Sequence, residues 1–401
     1  MMKKKIWSEI GLLLLLFYLS SCATVIQRPS PGEEAASFQL VSGEEWPDLK
    51  DDLELKDLDL AILQSLAYLK SRPPGYKFLL GTREISAQEM VSSLDLFLEI
   101  HHNNSDGKSR EHQIKAKFDL VRIVRNNTPL PLLITGYYEP SLQGSRRPSP
   151  RFRYPVYRLP DDLLIINPRK FSPQHPSQKW VGRIVGNEVI PYYTRQEIDQ
   201  EGLLTGKNFE NLWVDDPLKL FFMHIQGSGE VVFEDGSMVK LGYQGTNGHP
   251  YFALGKELIR RGIIQPEELS LQSIYTYLQD HPQEQQALMN LNPSYIFFKE
   301  VRGGPYGSLG RPLTPGRSVA MDLKIFPPAG LAWLKGVQPT VNDQGQIQAF
   351  RPLGRWVLIQ DSGGAIKGPS RLDLFWGNGP EAEIAAGHLR HQGAIFLLLK
   401  K

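Results

Sequence analysis

Two carboxylates near the C-terminus have the setting of a proton-transfer site. Asp361 follows the apolar run 356–359 and precedes paired glycines, and Asp373 lies twelve residues later in an apolar and aromatic stretch with Trp376. A carboxyl group beside such side chains is poorly solvated when charged, so it can remain protonated near neutral pH and donate a proton. Cleavage of a sugar bond requires such an acid. The alternative is that Asp361 caps a turn and Asp373 is a solvated strand residue.

Six motifs in a fixed order resemble the membrane-bound lytic murein transglycosylase A family. They are ITGYYEP at 134–140, MHIQGSG at 223–229, GYQGTNGHPY at 242–251, NPSYIFF at 292–298, GRSVAMD at 316–322 and the stretch 361–379. One motif alone would be weak evidence, but six in order over roughly residues 130–395 are specific. The first 125 residues match the family only loosely.

The resemblance implies a mainly β fold with some α-helix. It implies a double-psi β-barrel catalytic domain made of residues 51–139 and 301–401, with helices at its N-terminal side. A second β-rich domain at 140–300 would interrupt the barrel and bind substrate, with a glycan groove between the two domains. The composition shift to Arg, Ser and Pro over residues 141–155 supports a domain crossing there.

The resemblance also implies a reaction and its acid. Asp373 falls on the family's catalytic Asp, within an Asp-aliphatic-aromatic-X-Gly pattern. It would protonate the glycosidic oxygen between N-acetylmuramic acid and N-acetylglucosamine in peptidoglycan. It would then accept the proton of the muramic C6 hydroxyl, which attacks C1 and leaves a 1,6-anhydro end. Asp361 is assigned a supporting role. It could fix the glycine turn, raise the pKa of Asp373, or stabilise the cationic centre.

Other side chains in the motifs carry the amide, hydroxyl and aromatic groups that a sugar groove uses. The predicted substrate-binding residues are Gln226, Ser228, Tyr243, Asn247, His249, Tyr137 and Trp376. Tyr137 could equally be a core aromatic. Arg371 lies close to the acids in sequence, and a cation touching Asp373 would lower its pKa, so a structural or substrate-facing role is more plausible for it. Asp322 is as readily structural as functional.

The N-terminus resembles a bacterial lipoprotein signal peptide, assigned to residues 1–21. Three lysines at 3–5 precede a short apolar run at 11–19 and small residues before Cys22. The resemblance implies cleavage before Cys22, lipid attachment to it, and an outer-membrane protein that faces the periplasm. The apolar run is well short of the ~20 residues needed to cross a bilayer. Residues 22–50, rich in Pro, Ser, Gly and Glu, predict a tether.

Composition narrows the partners. The chain of 401 residues has a formal net charge of +2 and no long basic run, which gives nucleic-acid binding little support. The nine histidines form no His-Glu-X-X-His pattern, and no phosphate-binding glycine loop is present, so we expect no catalytic metal and no cofactor. The implied partners are peptidoglycan strands, the membrane through the lipid, and the cell-wall synthesis machinery.

Periodicity outlines the elements that position these residues. Apolar residues from Leu58 to Leu69 predict an amphipathic helix, and Ser86 with Glu89 predicts a capping box before a second one. The polar segment 101–111 predicts a loop, and residues 118–124 and 130–138 predict strands. In the middle region strands dominate, with a hairpin around Asp235-Gly236, and helical periodicity returns after Phe252.

Two other functions remain open from sequence. A glycoside hydrolase would use Asp361 and Asp373 as a carboxylate pair with water as the nucleophile, and would release reducing ends. A non-catalytic lipoprotein would only bind peptidoglycan and recruit partners.

Overall fold

The computed structural model describes residues 36–73, 75–80, 83–104, 106–176 and 178–401. The strands are β1 (Ser37–Leu40), β2 (Lys77–Leu80), β3 (Arg83–Ser86), β4 (Phe118–Arg125), β5 (Thr128–Pro129), β6 (Leu132–Glu139), β7 (Ser141–Ser145), β8 (Tyr154–Tyr157), β9 (Leu164–Ile166), β10 (Trp180–Val185), β11 (Glu188–Pro191), β12 (Glu210–Val214), β13 (Gly229–Phe233), β14 (Met238–Thr246), β15 (Ile296–Val301), β16 (Ser318–Ala320), β17 (Leu331–Val341), β18 (Ile347–Asp361), β19 (Arg371–Asn378) and β20 (Arg390–Lys400). The α-helices are α1 (Leu58–Lys70), α2 (Ala87–Asn103), α3 (Gly107–Lys117), α4 (Pro217–Gln226), α5 (Leu254–Arg260), α6 (Leu271–Asp280), α7 (Pro282–Asn290) and α8 (Pro380–His388).

Six strands close into a barrel. They follow the order β6-β20-β17-β18-β16-β19, and β19 returns to pair with β6. The β16–β18 and β19–β6 pairs are parallel, and the other four are antiparallel. Alternate residues of these strands, including Ile134, Leu372 and Leu374, lie in the principal hydrophobic core. Because alternate side chains of a strand face opposite sides, the residues between them lie on the outer surface of the barrel wall.

A separate six-stranded sheet uses the residues between the barrel strands. Its order is β15-β14-β13-β7-β12-β8. A three-stranded sheet, β11-β10-β9, is formed by the residues between β8 and β12. The predicted hairpin is confirmed: β13 and β14 pair antiparallel around Gly236, which adopts φ +81°. The predicted strand-dominated region also contains helix α4, because Asp216 accepts hydrogen bonds from the amides of Leu218 and Lys219 at its start.

The fold class predicted from sequence, mainly β with a barrel and a second β-rich part, is confirmed. Helices α1 and α2 pack on the barrel core through residues such as Leu66 and Phe97. The predicted capping box at Ser86 and Glu89 is present at the start of α2. Among the described residues, we find no helix with the length and apolarity needed to cross a bilayer.

Two sequence expectations are wrong in the described residues. The predicted tether ends much earlier than residue 50, because β1 pairs with β4 and Val41 is buried in the core. The predicted loop 101–111 is largely helical, because Asp106 accepts a hydrogen bond from the amide of Ser109 and starts α3. The predicted signal peptide and Cys22 lie outside the described residues.

The segment after the tether is held to the barrel by buried ion pairs. Arg317 donates to both carboxylate oxygens of Asp51 at 2.7 and 2.9 Å, and neither side chain is more than 3% exposed. Asp52 makes the same kind of pair with Arg355, at 2.8 and 2.6 Å. These pairs connect the beginning of the folded chain to β18, which carries Asp361, and to the start of β16, which lies between the two acid-bearing strands.

Candidate active site

A row of facing residues crosses the barrel wall at the two acids predicted from sequence. Ala320 on β16 is opposite Asp361 on β18 and also opposite Asp373 on β19. Asp373 is in turn opposite Thr135 on β6. Residues directly opposite each other on neighbouring strands project to the same face. A register irregularity at Ala320 interrupts the β16–β18 pair, so pairing alone does not align Asp361. Tyr137 lies two residues from Thr135 on β6 and donates to Asp361, which brings the two acids to the same face of the wall.

Asp373 is a carboxyl group that resists ionisation. Its side chain is 18% exposed. Its pKa is raised to about 6, chiefly by burial and to a smaller extent by the charge of Asp361, while a hydrogen bond from Thr135 and the charge of Arg371 act in the opposite direction. The Arg371 Nε atom lies 3.9 Å from its Oδ1, at the edge of ion-pair range. Asp373 thus remains partly protonated close to neutral pH, which is the property of a proton donor.

Asp361 is held by three donors. Its Oδ1 accepts from the amides of Ser308 and Ser362, each at 2.8 Å, and its Oδ2 accepts from the Tyr137 hydroxyl at 2.9 Å. Burial raises its pKa despite these hydrogen bonds. The Ser362 amide belongs to the turn after β18, so the carboxylate contacts the start of that turn. Gly307 brings the Ser308 loop close, because a Cβ there would lie 2.4 Å from the Gln360 carbonyl oxygen.

Strand β6 supplies a partner to each acid. The Thr135 hydroxyl donates to Asp373, and the Tyr137 hydroxyl donates to Asp361. Tyr137 also contacts the ring of Phe375, with centroids 5.2 Å apart. Between them, Gly136 faces the other side, where a Cβ would lie 2.7 Å from the Ala386 α-carbon of α8. Sequence reasoning missed Thr135, although the two-residue strand period places it on the same face as Tyr137.

Three of the other predicted residues lie at the end of α4, just after it, and on β19. Gln226, the last residue of α4, accepts a hydrogen bond from the amide of Tyr138 at 3.2 Å. Ser228 follows it and is 9% exposed. Trp376 packs partly against the barrel core and against a small cluster on α8, and its indole Nε1 has no partner among the described residues.

The remaining three belong to β14 and the loop that follows it. Tyr243 is 51% exposed. Asn247 is 1% exposed and its amide is used inside the protein: it donates to the carbonyls of Tyr193 and Pro293 and accepts from the amide of Tyr295. His249 Nε2 lies 2.7 Å from the Tyr192 carbonyl. These contacts hold the loop in one conformation.

Tyr251, at the end of this loop, lies near enough to Asp373 for the two groups to influence each other's charge, and it was missed by sequence reasoning. It is 38% exposed. Burial raises its pKa, the charge of Arg371 lowers it and the charge of Asp373 raises it, which places its hydroxyl within electrostatic reach of both. The signal available in the sequence is its position at the end of the GYQGTNGHPY motif.

Asp322, the third acid of the motifs, has a structural role. It is 9% exposed. Its carboxylate accepts from the amide of Lys324 at 3.1 Å and from the amide of Gly368 at 2.9 Å. It thereby fixes the loop that connects β18 to β19, and so the relative placement of Asp361 and Asp373.

Two family models match the chain. The MltA specific insert domain matches residues 133–299, and the 3D domain matches residues 317–399. The first covers the six-stranded sheet together with β6, and the second covers the barrel strands from β16 to β20.

The chain is also similar to individual proteins. Membrane-bound lytic murein transglycosylase A from Vibrio cholerae is 35% identical over 270 residues, which is 67% of this chain and 65% of that protein. The crystal structure of membrane-bound lytic murein transglycosylase from Agrobacterium tumefaciens has a TM-score of 0.75 at 31% identity, and the match covers 91% of this chain and 98% of that one. The structure of Escherichia coli MltA with bound chitohexaose has a TM-score of 0.69 at 25% identity, covering 93% and 97%.

Proposed function

This chain belongs to the membrane-bound lytic murein transglycosylase A family, and on that premise we propose that it cleaves peptidoglycan glycan strands as a lytic transglycosylase. The bond would be the β-1,4 linkage from N-acetylmuramic acid to N-acetylglucosamine, and the product a 1,6-anhydromuramic end. The observation that carries the proposal is the buried Asp373, whose pKa is raised to about 6 on the face that Tyr251 borders.

The first step is proton donation by Asp373. In its protonated form it would give its proton to the glycosidic oxygen as the C1–O bond breaks and positive charge develops at C1. Burial supports this step because it disfavours the charged carboxylate before the sugar is bound. The Thr135 hydroxyl would keep the carboxyl group in one orientation through both steps.

The second step uses the same residue in reverse. The Asp373 carboxylate, formed when it loses its proton, would accept the proton of the muramic C6 hydroxyl. That oxygen would attack C1 of the same sugar and close the 1,6-anhydro ring. One carboxyl group thus serves as acid and then as base, and it returns to its starting protonation state.

The environment of Asp361 favours this scheme over a hydrolase that uses two carboxylates. A carboxylate has about four sites that can accept hydrogen bonds, and each hydrogen bond it accepts makes it a weaker nucleophile and base. Both oxygens of Asp361 already accept hydrogen bonds, from two backbone amides and from Tyr137. We therefore assign it a positioning and electrostatic role, in which its charge raises the pKa of Asp373.

The glycan would cross the face that carries the acids. Tyr251 and Tyr243 offer partly exposed rings on which sugars can stack, and Gln226 accepts a hydrogen bond from β6, beside which it lies. Trp376 lies on the other side of the wall, where its Nε1 would be 2.9 Å from a Cβ on Gly136, so we do not assign it to this path. The Escherichia coli relative was solved with bound chitohexaose, a glycan, which supports glycan binding by this chain. We assign Asn247 and His249 to shaping the loop, because their polar atoms bind protein carbonyls.

Cellular placement follows from the N-terminal sequence. We propose a lipoprotein anchored through Cys22 to the outer membrane and facing the periplasm, active in cell-wall turnover beside the synthesis machinery. The membrane-bound relatives support membrane association.

The test is mass spectrometry of products that residues 23–401 release from purified peptidoglycan. We expect anhydro-muropeptides, which lack one water relative to hydrolysis products. Reducing ends would instead identify a hydrolase. Binding to the sacculus without release would identify a peptidoglycan-binding lipoprotein.

The pH dependence tests the role of Thr135. Because the acid must be protonated, kcat/KM should fall as pH rises through the Asp373 pKa of about 6. The Thr135 hydrogen bond lowers that pKa, so Thr135→Val should move the fall to higher pH by about one unit. Thr128→Val, at an exposed strand position, is the control. If kcat/KM of Thr135→Val falls at the same pH as that of the wild type, a group other than Asp373 determines the pH dependence.

A further inference from the structure

A cluster of two histidines and an aspartate lies where the last turn of α2 meets the first turn of α1. His101 Nε2 lies 3.4 Å from Asp59 Oδ1, and His102 Nε2 lies 2.8 Å from Asp59 Oδ2. The ligand-capable atoms of the three side chains are all within 4.8 Å of one another. We propose that Asp59, His101 and His102 form a binding site for a divalent transition-metal ion such as Zn²⁺.

The spacing suits a single ion. Zn²⁺ binds imidazole nitrogen and carboxylate oxygen at about 2.0–2.2 Å, so two ligands on one ion lie roughly 3–4 Å apart. The separations from Asp59 fall at or close to that range before any ion is bound. Small rotations of the exposed His102 ring would place all three atoms around one ion, and solvent water would complete the shell.

The ligand chemistry selects among cations. Two imidazoles with one carboxylate suit Zn²⁺, Ni²⁺ and Cu²⁺, whereas Mg²⁺ and Ca²⁺ prefer oxygen ligands. Asp59 Oδ1 is buried and accepts no hydrogen bond from the described residues, and a bound cation would supply its missing partner.

Nearby groups limit the affinity. The positive charges of Arg110 and Arg317 lie near His101 and disfavour a further cation there, although Arg317 is paired with Asp51. His101 Nδ1 has no acceptor among the described residues, so the ring lacks the outer hydrogen bond that usually strengthens a zinc-bound histidine. We therefore expect reversible binding, weaker than that of a closed four-ligand structural zinc site.

The site would join the two helices that support the acid-bearing strands. Gln360, the residue before Asp361, donates to the Ala61 carbonyl and the Ser65 hydroxyl of α1. An ion at Asp59 would tie the first turn of that helix to α2. Its measurable consequence is a higher unfolding temperature of the protein.

The experiment is calorimetric titration of tag-free residues 23–401 with ZnCl₂, accompanied by thermal unfolding. We expect one ion per chain and a rise in unfolding temperature. His102→Ala should weaken binding at least tenfold and remove the rise, and Asp59→Asn should do the same. His112→Ala, an exposed histidine on α3 outside the cluster, should change neither.

Three results would overturn the site. They are the absence of saturable Zn²⁺ binding, equal affinity in His102→Ala, or an equal thermal response to Mg²⁺. Misfolding does not confuse the outcome, because the His102 side chain is 57% exposed and circular dichroism of each variant checks the fold. Peptidoglycan cleavage should be unchanged in His102→Ala, which separates this site from the proposed reaction.

Discussion

Replacing Asp373 by asparagine should reduce release of anhydro-muropeptides by roughly 10³-fold, the scale of a general acid's contribution. Asparagine keeps the shape of the side chain and can still contact Thr135, but it has no acidic proton to give to the glycosidic oxygen. The measurement is the initial rate of soluble muropeptide release from purified peptidoglycan, followed by chromatography and mass spectrometry.

The matched control is Asp343→Asn, an acid exposed at the turn between β17 and β18. It removes the same charge at a distance in sequence from the row of acids, so its rate should equal that of the wild type. A wild-type rate in Asp373→Asn would eliminate this residue as the proton donor and leave Asp361 as the candidate acid.

The same variant should be more stable than the wild type at neutral pH. The folded-state pKa of Asp373 is raised to about 6, above its unfolded value, so its ionisation favours the unfolded chain as pH rises through that range. The difference of about two units corresponds to roughly 2–3 kcal/mol at pH 7. The gain in the free energy of unfolding should disappear below about pH 4, where the carboxyl group is protonated in both states.

Local patterns in the sequence indicate the two acids as candidates, whereas the class of fold comes from the resemblance of six motifs to a known family. Asp373 is in an apolar strand with Trp376, and Asp361 ends another before paired glycines. Their partners could not be predicted in the same way. Thr135 is 238 residues from Asp373, and the register of a parallel pair across such a separation is decided by tertiary packing.

The local errors have equally physical causes. The segment 101–111 is polar and lacks helical periodicity, yet a side-chain cap at Asp106 and packing of Ile114 are enough to form α3. Residues 37–40 have no long apolar run, and they form a strand because the edge of β4 offers free backbone groups for pairing. The Asp59 cluster joins residues 42 and 43 positions apart on two helices.

The largest loss of stability should come from Asp51→Ala. The Asp51 carboxylate accepts five hydrogen bonds, two from Arg317 and three from the backbone amides of Leu53, Leu55 and Trp356. Removing it leaves the fully buried Arg317 guanidinium without its counterion. Breaking a buried pair in this way typically costs about 3–5 kcal/mol. The measurement is the free energy of unfolding from denaturant titration of residues 23–401.

The control is Glu84→Ala, which removes an exposed pair with Lys77 whose two side chains are 58% and 56% exposed. Such surface pairs contribute less than about 1 kcal/mol.

The pH dependence of the free energy of unfolding should also distinguish the Asp51 pair from the Glu84 pair. Burial would raise the pKa of Asp51, but its hydrogen bonds and the charge of Arg317 bring it below the usual value. Its contribution is therefore full above the unfolded pKa of about 4 and lost as pH falls through the folded value. The deficit of Asp51→Ala relative to wild type should shrink on acidification, and a deficit no larger than that of Glu84→Ala would mean that the Arg317 pair does not hold the N-terminal segment to the barrel.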